Sequence, residues 1–163
     1  MLQKKICMIG AFATGKTSLV SQFVHGIYSD KYQTTVGVKI DKKSLILDDQ
    51  DLKIILWDIH GEDEFQKIRM SYLRGSSGYI LVVDGTRRDT LGTSFQLQKR
   101  VEETIGKVPF ITILNKYDLS HDWELGNEDL EELSAREWQY CLSSAKTGLG
   151  VEECFLKLAR MML

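Results

Sequence analysis

A chain of 163 residues has the length of one ordinary domain, and 43% hydrophobic with 27% charged residues is the balance of a globular protein rather than a disordered or fibrous one. The formal net charge of −2 gives no attraction to phosphate backbones, so nucleic acid is not expected as a partner. The longest apolar runs are strand-sized, whereas a membrane-spanning helix needs about 20 residues.

The chain is expected to be a single domain over residues 1–163 without a targeting segment. A strand pattern begins within a few residues of the N-terminus and leaves no room for a signal peptide, so a cytoplasmic location is expected. Residues 161–163 offer no cysteine for prenylation and no basic tail, so the chain by itself is expected not to bind membranes. The three cysteines (Cys7, Cys141 and Cys154) show no metal-ligand spacing and are expected to be reduced, structural thiols.

In chain order, short apolar runs alternate with segments of helical periodicity, which predicts an α/β protein with a mostly parallel sheet. A polar connection at residues 48–51 is short enough to join its flanking strands as an antiparallel hairpin, so the sheet is mixed. An acidic segment from residue 124 to 137 places Asn127 where it could cap a helix. The predicted strands are 5–9, 38–47, 52–57, 79–83, 110–114 and 140–142, and the other predicted helices follow residue 17 and cover 65–73, 91–105 and 151–162.

The first motif is GAFATGKT at residues 10–17, which matches the phosphate-binding pattern G-x-x-x-x-G-K-[ST] between a predicted strand and a predicted helix. Its glycines allow the backbone to fold around a phosphate group, whose charge is met by N–H groups and the helix N-terminus. Lys16 adds a positive charge beside the outer phosphates, and Thr17 supplies a hydroxyl ligand for Mg²⁺. The sequence therefore predicts a nucleoside phosphate site here.

A second motif, NKYD at residues 115–118, follows the predicted strand 110–114, at the sheet edge where α/β proteins bind ligands. A carboxylate accepts two N–H donors at once, and guanine presents such a pair at N1 and its exocyclic amine, whereas adenine presents an acceptor at N1. Asp118 is therefore predicted to select guanine. The segment Ser144-Ala145-Lys146 follows the last strand and could bring a backbone N–H toward the guanine carbonyl oxygen.

Two further positions are candidates for the metal and the terminal phosphate. Asp58 ends the third predicted strand, where a carboxylate can hold Mg²⁺ through water, and the Gly61 N–H is available to the terminal phosphate. Thr35 lies in a polar loop before the second strand and could reach the metal when that phosphate is present. Taken alone, each of these is also an ordinary turn or loop residue.

These four elements, in this order and each near a predicted strand end, resemble the Ras superfamily of small GTPases over essentially the whole chain, and the segments SYLRG and TTVGVK look most like its Rab branch. The resemblance implies a P-loop NTPase G domain: a six-stranded mixed, mostly parallel sheet with helices on both faces, which binds GTP or GDP with Mg²⁺. It implies an aromatic contact to the base from Tyr28. The same resemblance implies three metal ligands, which are Thr17, Thr35 and Asp58, and three catalytic residues, which are Glu62, Lys16 and Gly61. It also implies the following nucleotide contacts: Gly10, Ala13, Thr14, Gly15, Lys16, Thr17, Ser18, Tyr28, Thr35, Gly61, Asn115, Lys116, Asp118, Ser144, Ala145 and Lys146.

Three positions depart from the family pattern and bear on hydrolysis. Phe12 replaces a small residue in the phosphate loop, Ile59-His60 replaces a threonine-alanine pair, and Glu62 stands where the family carries its water-orienting glutamine. An ionised glutamate only accepts hydrogen bonds, so GTP hydrolysis is expected to be slow. Alternatively, Glu62 acts as a general base.

The leading function is a switch that changes the conformation of residues 30–38 and 59–74 with the nucleotide and contacts effector and regulatory proteins there. The alternative is a nucleotide-bound scaffold, or the excised G domain of a larger, Roc-like protein, with little or no hydrolysis. An adenine-nucleotide P-loop kinase is disfavoured, because such enzymes have no use for NKYD.

Overall fold

The computed structural model describes residues 1–29, 37–61 and 67–163. Its centre is one six-stranded sheet with the strand order β2-β3-β1-β4-β5-β6. The strands are β1 (Leu2–Gly10), β2 (Val38–Leu47), β3 (Gln50–Ile59), β4 (Gly78–Asp84), β5 (Phe110–Asn115) and β6 (Tyr140–Leu142). Only the β2–β3 pair is antiparallel among these pairings, so the predicted mixed, mostly parallel sheet is confirmed.

In the part of the chain that the structure describes, four α-helices cover the sheet: α1 (Lys16–His25), α2 (Arg88–Ile105), α3 (Asn127–Ala135) and α4 (Val151–Met161). Alternate residues of β1 point to opposite faces, as the two-residue period of a strand requires. Ile6 and Met8 pack in a cluster with Leu19 of α1 and Phe155 of α4, whereas Cys7 and Ile9 pack in a second cluster with residues of α2. Helices therefore lie on both faces, and the core is in two layers.

The hairpin connection is tighter than predicted. β2 and β3 are joined by Asp48 and Asp49 alone, both with positive φ (50° and 64°), because a two-residue turn of this kind matches the twist of the two strands. The predicted connection at 48–51 was therefore too long. Gln50 and Asp51 belong to β3, where they pair with Leu47 and Ile46.

The predicted helix at residues 65–73 is wrong where the structure describes it. Residues 67–69 are not helical, and a short 3-10 turn covers Met70–Leu73; residues 65 and 66 lie outside the described part. At the end of this segment the chain is bonded to β1 instead of continuing a helix: the Lys5 ammonium group donates hydrogen bonds to the carbonyl oxygens of Tyr72 (2.6 Å) and Arg74 (2.7 Å). The apolar periodicity was nevertheless informative, since Ile68 and Leu73 are buried.

The cap of α3 also differs from the prediction. Asn127 is the first residue of the helix, and the cap is Gly126, whose backbone is extended. The Gly126 N–H donates to the Asp129 carboxylate (2.8 Å), and the Asp129 N–H returns a bond to the Gly126 carbonyl oxygen (3.1 Å). A carboxylate three positions into the helix thus takes the role assigned to Asn127.

Candidate functional site

The predicted motifs meet at one edge of the sheet. Parallel strands end on the same side, so the loops that follow β1, β4, β5 and β6 are neighbours there, beside the end of β3. β1 lies between β3 and β4, which places the phosphate loop (residues 10–17) at the middle of that edge. This is the position at which open α/β sheets bind ligands.

The phosphate loop has the backbone of an anion site. Ala13 (φ 60°) and Gly15 (φ 101°) are left-handed, and alternation of hand within a short loop turns successive N–H groups toward one side. Gly15 cannot carry a side chain, since a β-carbon there would collide with the Asn115 amide nitrogen. The fully buried Thr14 donates its hydroxyl hydrogen to the Ala11 carbonyl oxygen (3.1 Å), which closes the loop on itself.

Carbonyl oxygens along the loop accept hydrogen bonds from charged or amide side chains. Two of the donors lie at the end of β5: the Asn115 amide, from the last residue of the strand, bonds to the Thr14 carbonyl (3.0 Å), and the ammonium group of the next residue, Lys116, bonds to the Ala13 carbonyl (3.1 Å). A third, the Arg87 guanidinium group after β4, bonds to the Phe12 carbonyl (2.8 Å). With the carbonyls held by these donors, the loop is fixed in the conformation that an anion requires.

Lys16 is a buried cation in this loop. Only 6% of its surface is exposed, and burial lowers the pKa of its ammonium group to about 8, although the nearby Asp58 carboxylate acts in the opposite direction. The ammonium group donates to the Ala11 carbonyl oxygen (3.1 Å). A β-carbon on Gly61 would lie 2.7 Å from the Phe12 Cα and 2.9 Å from the Ala11 carbonyl oxygen, so only glycine lets the segment after β3 lie this close to the loop. A phosphate group here would offset the cost of burying the charge.

Two oxygen ligands of the kind that Mg²⁺ prefers lie together beside Lys16. The Thr17 hydroxyl donates to the Asp58 carboxylate at 2.6 Å, and Asp58 is 1% exposed at the end of β3. A hydroxyl and a buried carboxylate are hard donors that fit a magnesium ion shared with phosphate oxygens. The third predicted ligand, Thr35, and the predicted catalytic Glu62 lie outside the described residues.

Three of the predicted guanine contacts and one further residue form a hydrogen-bonded group that we call, after that prediction, the base-binding cluster: Asn115, Asp118, Ser144 and, in addition, Ser143. The buried Asn115 oxygen accepts from the Ser143 hydroxyl (3.0 Å) and from the Ala145 N–H (3.2 Å). The Ser144 hydroxyl donates to the Asp118 carboxylate (2.8 Å), which orients that carboxylate at the end of β5. Ser143 was missed from the sequence, because it lies outside the Ser144-Ala145-Lys146 segment.

Asp84 is a second residue that the sequence did not single out. It ends β4, is 1% exposed, and pairs with the Lys116 ammonium group (2.8 Å) and the Arg87 guanidinium group (3.0 Å). Burial alone raises the pKa of Asp84, but hydrogen bonds from Lys116 and Thr86 outweigh it and lower the pKa below its ordinary value. One carboxylate thus positions two of the cations that contact the phosphate loop. An aspartate directly after a buried strand, as at Asp58, was the signal available in the sequence.

Trp123 supports the same wall of the site from behind. Its indole N–H donates to the Lys116 carbonyl oxygen (2.9 Å), and Lys116 itself is left-handed (φ 72°). A β-carbon on Gly85 would collide with the Trp123 ring, so the two residues are in close contact. The indole therefore helps to hold the strained turn that aims Lys116 at the phosphate loop.

The remaining predicted contacts lie at the margins of the site. Ser18 is in the first turn of α1, Tyr28 follows that helix with 40% of its surface exposed, and Lys146 is exposed after the base-binding cluster. Gln22 of α1 was not predicted, yet its amide donates to the Ala145 carbonyl oxygen (2.8 Å) and joins the helix after the phosphate loop to the base-binding cluster.

Phe12 and His60, two of the departures from the family pattern, face each other across the site. Their ring centroids are 6.1 Å apart, with the planes tilted by 43°. Phe12 belongs to the phosphate loop and His60 follows β3, so the contact joins the loop to the beginning of the second predicted switch segment.

Among residues 1–29, 37–61 and 67–163, no helix is long and apolar enough to cross a membrane.

Comparison with known proteins agrees with this geometry. The family model described as "Ras family" matches residues 5–163. The chain is 32% identical to "Ras-related protein Rab-7b" of Mus musculus, over 98% of this chain and 82% of that protein. It is 31% identical to "Ras-related protein Rab-1" of Theileria parva, over 97% of this chain and 73% of that protein. With its strand order, phosphate loop and base-binding cluster in the expected places, this chain belongs to the Ras family, in the branch of Ras and Rab GTPases.

Proposed function

We propose that residues 1–163 act as one G domain that binds GTP or GDP with Mg²⁺ in the cytoplasm, hydrolyses GTP slowly, and signals through the change between the two states. The observation that carries the proposal is the Asn115 amide, which donates to the Thr14 carbonyl of the phosphate loop and accepts from Ser143 of the base-binding cluster. One side chain thus joins the phosphate loop to the base-binding cluster, which supports the binding of a single nucleotide across both.

Each part of the site has a role in this proposal. The loop N–H groups and Lys16 bind the phosphates, Gly61 brings its N–H to the terminal phosphate, and Asp118 accepts the paired N–H donors of guanine. Thr17 and Asp58 are the described residues that would hold Mg²⁺, which when bound neutralises charge on the outer phosphate oxygens. Because Lys16 is already buried and next to Asp58, little rearrangement is needed when the phosphates arrive.

The direct test identifies the nucleotide. We expect purified protein, once denatured, to release close to one guanine nucleotide per chain, and we expect ATP in large excess not to displace it. Exchange in the presence of a magnesium chelator should be faster, because Thr17 and Asp58 then lose the ion they share with the phosphates. Release of adenine nucleotide, or equal competition by ATP and GTP, would contradict the proposal.

The low rate of hydrolysis follows from Glu62. A glutamine amide holds the attacking water through its oxygen and donates an N–H to the phosphoryl group, whereas an ionised carboxylate has no hydrogen to donate. Its charge also repels the triphosphate, and a residual repulsion of about 1.4 kcal/mol in the transition state would slow the step tenfold. The Phe12 ring, in contact with His60, adds bulk where a partner's arginine would enter.

Single-turnover GTP hydrolysis tests this part. Glu62→Gln should speed the reaction about tenfold, and Phe12→Gly should add to that gain. Glu64→Gln is the matched control, since it removes the same charge two residues along and should leave the rate unchanged. If Glu62→Gln slows hydrolysis, the carboxylate is the general base and the account above is wrong.

The switch itself is tested by hydrogen exchange. Partners are proposed to contact residues 30–38 and 59–74, where the terminal phosphate of GTP would favour an ordered conformation over a disordered one. Exchange in these segments should be slower with a non-hydrolysable GTP analogue than with GDP, while exchange in α4 should be the same in both states. Identical exchange everywhere would favour the alternative of a nucleotide-bound scaffold.

A further inference from the structure

Arg87 is anchored at the phosphate loop by hydrogen bonds to two acceptors. Its Nε donates to the Asp84 carboxylate (3.0 Å), and its Nη2 donates to the Phe12 carbonyl oxygen (2.8 Å). Asp84 is 1% exposed at the end of β4, so this carboxylate gives the guanidinium group a fixed base. The Arg87 side chain is 38% exposed, which places it at the rim of the loop. A planar guanidinium group that spans two acceptors has little freedom of orientation.

The bond to the Phe12 carbonyl sets the direction of the next N–H group. In the described residues the peptide bonds are trans, and in a trans peptide the carbonyl oxygen of one residue and the N–H of the next point in opposite directions. The Ala13 N–H therefore faces away from Arg87. Ala13 is left-handed (φ 60°), and its own carbonyl is held by Lys116, which also pairs with Asp84. One buried carboxylate thus holds the cations on both sides of this residue.

The Ala13 N–H lies at the end of the loop that meets the second predicted switch segment. A β-carbon on Gly61 would lie 2.7 Å from the Phe12 Cα, whereas a β-carbon on Gly15, further along the loop, would collide with the Asn115 amide. Gly61 is the residue proposed to bring its N–H to the terminal phosphate. The Phe12–Ala13 peptide is therefore at the terminal-phosphate end of the loop, and Gly15 is at the end next to the base-binding cluster.

The charge of Arg87 acts at the phosphate loop as well. Burial is the main reason that the pKa of Lys16 is lowered to about 8; the Asp58 carboxylate acts in the opposite direction, and the positive charge of Arg87 lowers the pKa further. Negative charge is spread over the phosphate oxygens when a terminal phosphoryl group is transferred. Cations and N–H groups that are already in place stabilise such charge, because they need no reorganisation during the reaction.

We propose that Arg87 is a positioning residue for GTP hydrolysis: by holding the Phe12 carbonyl, it aims the Ala13 N–H at the phosphate oxygens that gain charge as the terminal phosphoryl group leaves. This inference rests on the proposed function, since it requires GTP in the site. The hydrogen bond from Ala13 strengthens as the charge develops, so its loss slows the reaction. GDP lacks the terminal phosphate, and its binding depends on Arg87 much less than hydrolysis does.

Arg88, the next residue, is the matched control. Its guanidinium group bonds to the Glu124 carbonyl oxygen and to the Asp129 carboxylate (3.2 Å), and its side chain is 59% exposed. These bonds join the first residue of α2 to α3 and to the segment before α3. Arg88 therefore carries the same charge at the neighbouring position, but its bonds are directed away from the phosphate loop.

Single-turnover GTP hydrolysis and GDP release, measured on the same preparations, test the proposal. Arg87→Met should slow hydrolysis about tenfold and should change the rate of GDP release by less than about threefold. Arg88→Met should leave both rates unchanged. Arg87→Lys separates position from charge: it keeps the charge, but its side chain ends one atom earlier, so it reaches Asp84 and stops short of the Phe12 carbonyl. Hydrolysis should therefore be slow in Arg87→Lys as well.

The amide proton of Ala13 gives a readout that does not depend on activity. With a non-hydrolysable GTP analogue bound, a hydrogen bond to a phosphate oxygen shifts this proton downfield in the ¹H–¹⁵N spectrum. The proton should move upfield in Arg87→Met and Arg87→Lys. The Gly15 amide proton should stay in place, because the Thr14 carbonyl that precedes it is held by Asn115 and not by Arg87.

Three results would overturn the inference: hydrolysis at the wild-type rate in Arg87→Met, GDP release that speeds up as much as hydrolysis slows, or an Ala13 amide proton that does not move. The second result would reduce Arg87 to a merely structural role. If Arg87→Met does not fold, Arg87→Lys is measured with the same expectations. A wild type that binds no guanine nucleotide would contradict the proposed function itself, whereas the variants of Arg87 contradict only this inference.

Discussion

The phosphate loop and the base-binding cluster lie side by side but are stabilised differently. In the phosphate loop, Lys16 is a buried cation whose pKa is lowered by burial, and its ammonium group, which has three N–H donors, donates one hydrogen bond to the Ala11 carbonyl oxygen. In the base-binding cluster, the polar groups bond to each other: Ser143 to Asn115 and Ser144 to Asp118. The first region thus holds a charge that suits an anionic ligand, whereas the second is satisfied by the protein alone.

This difference predicts how the two regions respond to substitution. Where a buried charge is arranged for a ligand, its removal should weaken binding and cost little folding stability. Where polar groups satisfy one another, the loss of one partner leaves the other buried without its bond, so stability should fall as well. Four substitutions, in these two regions or in the residues that hold them in place, test these expectations from the largest expected effect to the smallest.

Asp118→Asn should have the largest effect, on base preference. The amide can no longer accept both N–H donors of guanine, so the preference for GTP over ATP should fall by about a thousandfold or more. Competition binding of the two nucleotides measures it. Asp122→Asn is the matched control, because Asp122 lies in the same 3-10 turn (Tyr117–Asp122) with its side chain 65% exposed. An unchanged preference in Asp118→Asn would remove Asp118 from the base site.

Asp84→Asn removes one partner of a buried ion pair and should lower the free energy of unfolding by about 3 kcal/mol. This is the low end of the loss that is usual when a buried pair is broken, because the partners Lys116 and Arg87 are about a third exposed. The pKa of Asp84 is lowered by folding, so its stabilisation is present above the ordinary carboxyl pKa and is lost as the pH falls through the folded value. Urea unfolding at several pH values measures this: the difference in free energy of unfolding between wild type and variant should become smaller below about pH 4. Asp89→Asn on the exposed start of α2 should show no such gap.

Lys16→Met should weaken GDP and GTP binding by about a hundredfold, since a hydrogen bond to a charged group contributes up to about 3 kcal/mol. The nucleotide-free variant should be at least as stable as the wild type, because a desolvated cation is gone. The pKa of Lys16 is about 8 in the folded protein and higher in the unfolded chain. The nucleotide-free wild type should therefore gain stability as the pH rises above 8, and the variant should lack that gain. Lys39→Met, which changes an exposed side chain, is the control. A large loss of stability in Lys16→Met would contradict the view that this buried charge is arranged for a ligand and not for folding.

Gln22→Ala should have the smallest effect, because it removes one neutral hydrogen bond between α1 and the Ala145 carbonyl oxygen. A loss of about 1 kcal/mol corresponds to nucleotide release roughly five times faster. Stopped-flow release of a fluorescent GDP analogue measures it. Gln98→Ala, another helical glutamine whose amide bonds to Glu102 away from the site, should leave release unchanged.

How much could be predicted depended on how local each feature is. The phosphate loop is eight consecutive residues between a strand and a helix, so its place followed from the motif and the apolar periodicity. The local pattern did not reveal the 3-10 turn at Met70–Leu73, whose Tyr72 carbonyl oxygen accepts a hydrogen bond from Lys5, more than sixty residues away in the chain. Asn127 lost the capping role because Asp129, two residues later, reached the Gly126 N–H.

The sequence by itself determined the order of the strands and of four α-helices along the chain, the phosphate loop, and the residue types that are predicted to select guanine. Each of these depends on neighbouring residues and on the two-residue period of a strand or the 3.6-residue period of a helix. Only the tertiary structure decided which side chains hold the loop. Arg87, Lys116 and Asn115 contact consecutive carbonyls of residues 12–14 because β4 and β5 end beside β1. Hydrogen bonds of this range depend on strand order rather than on any local pattern.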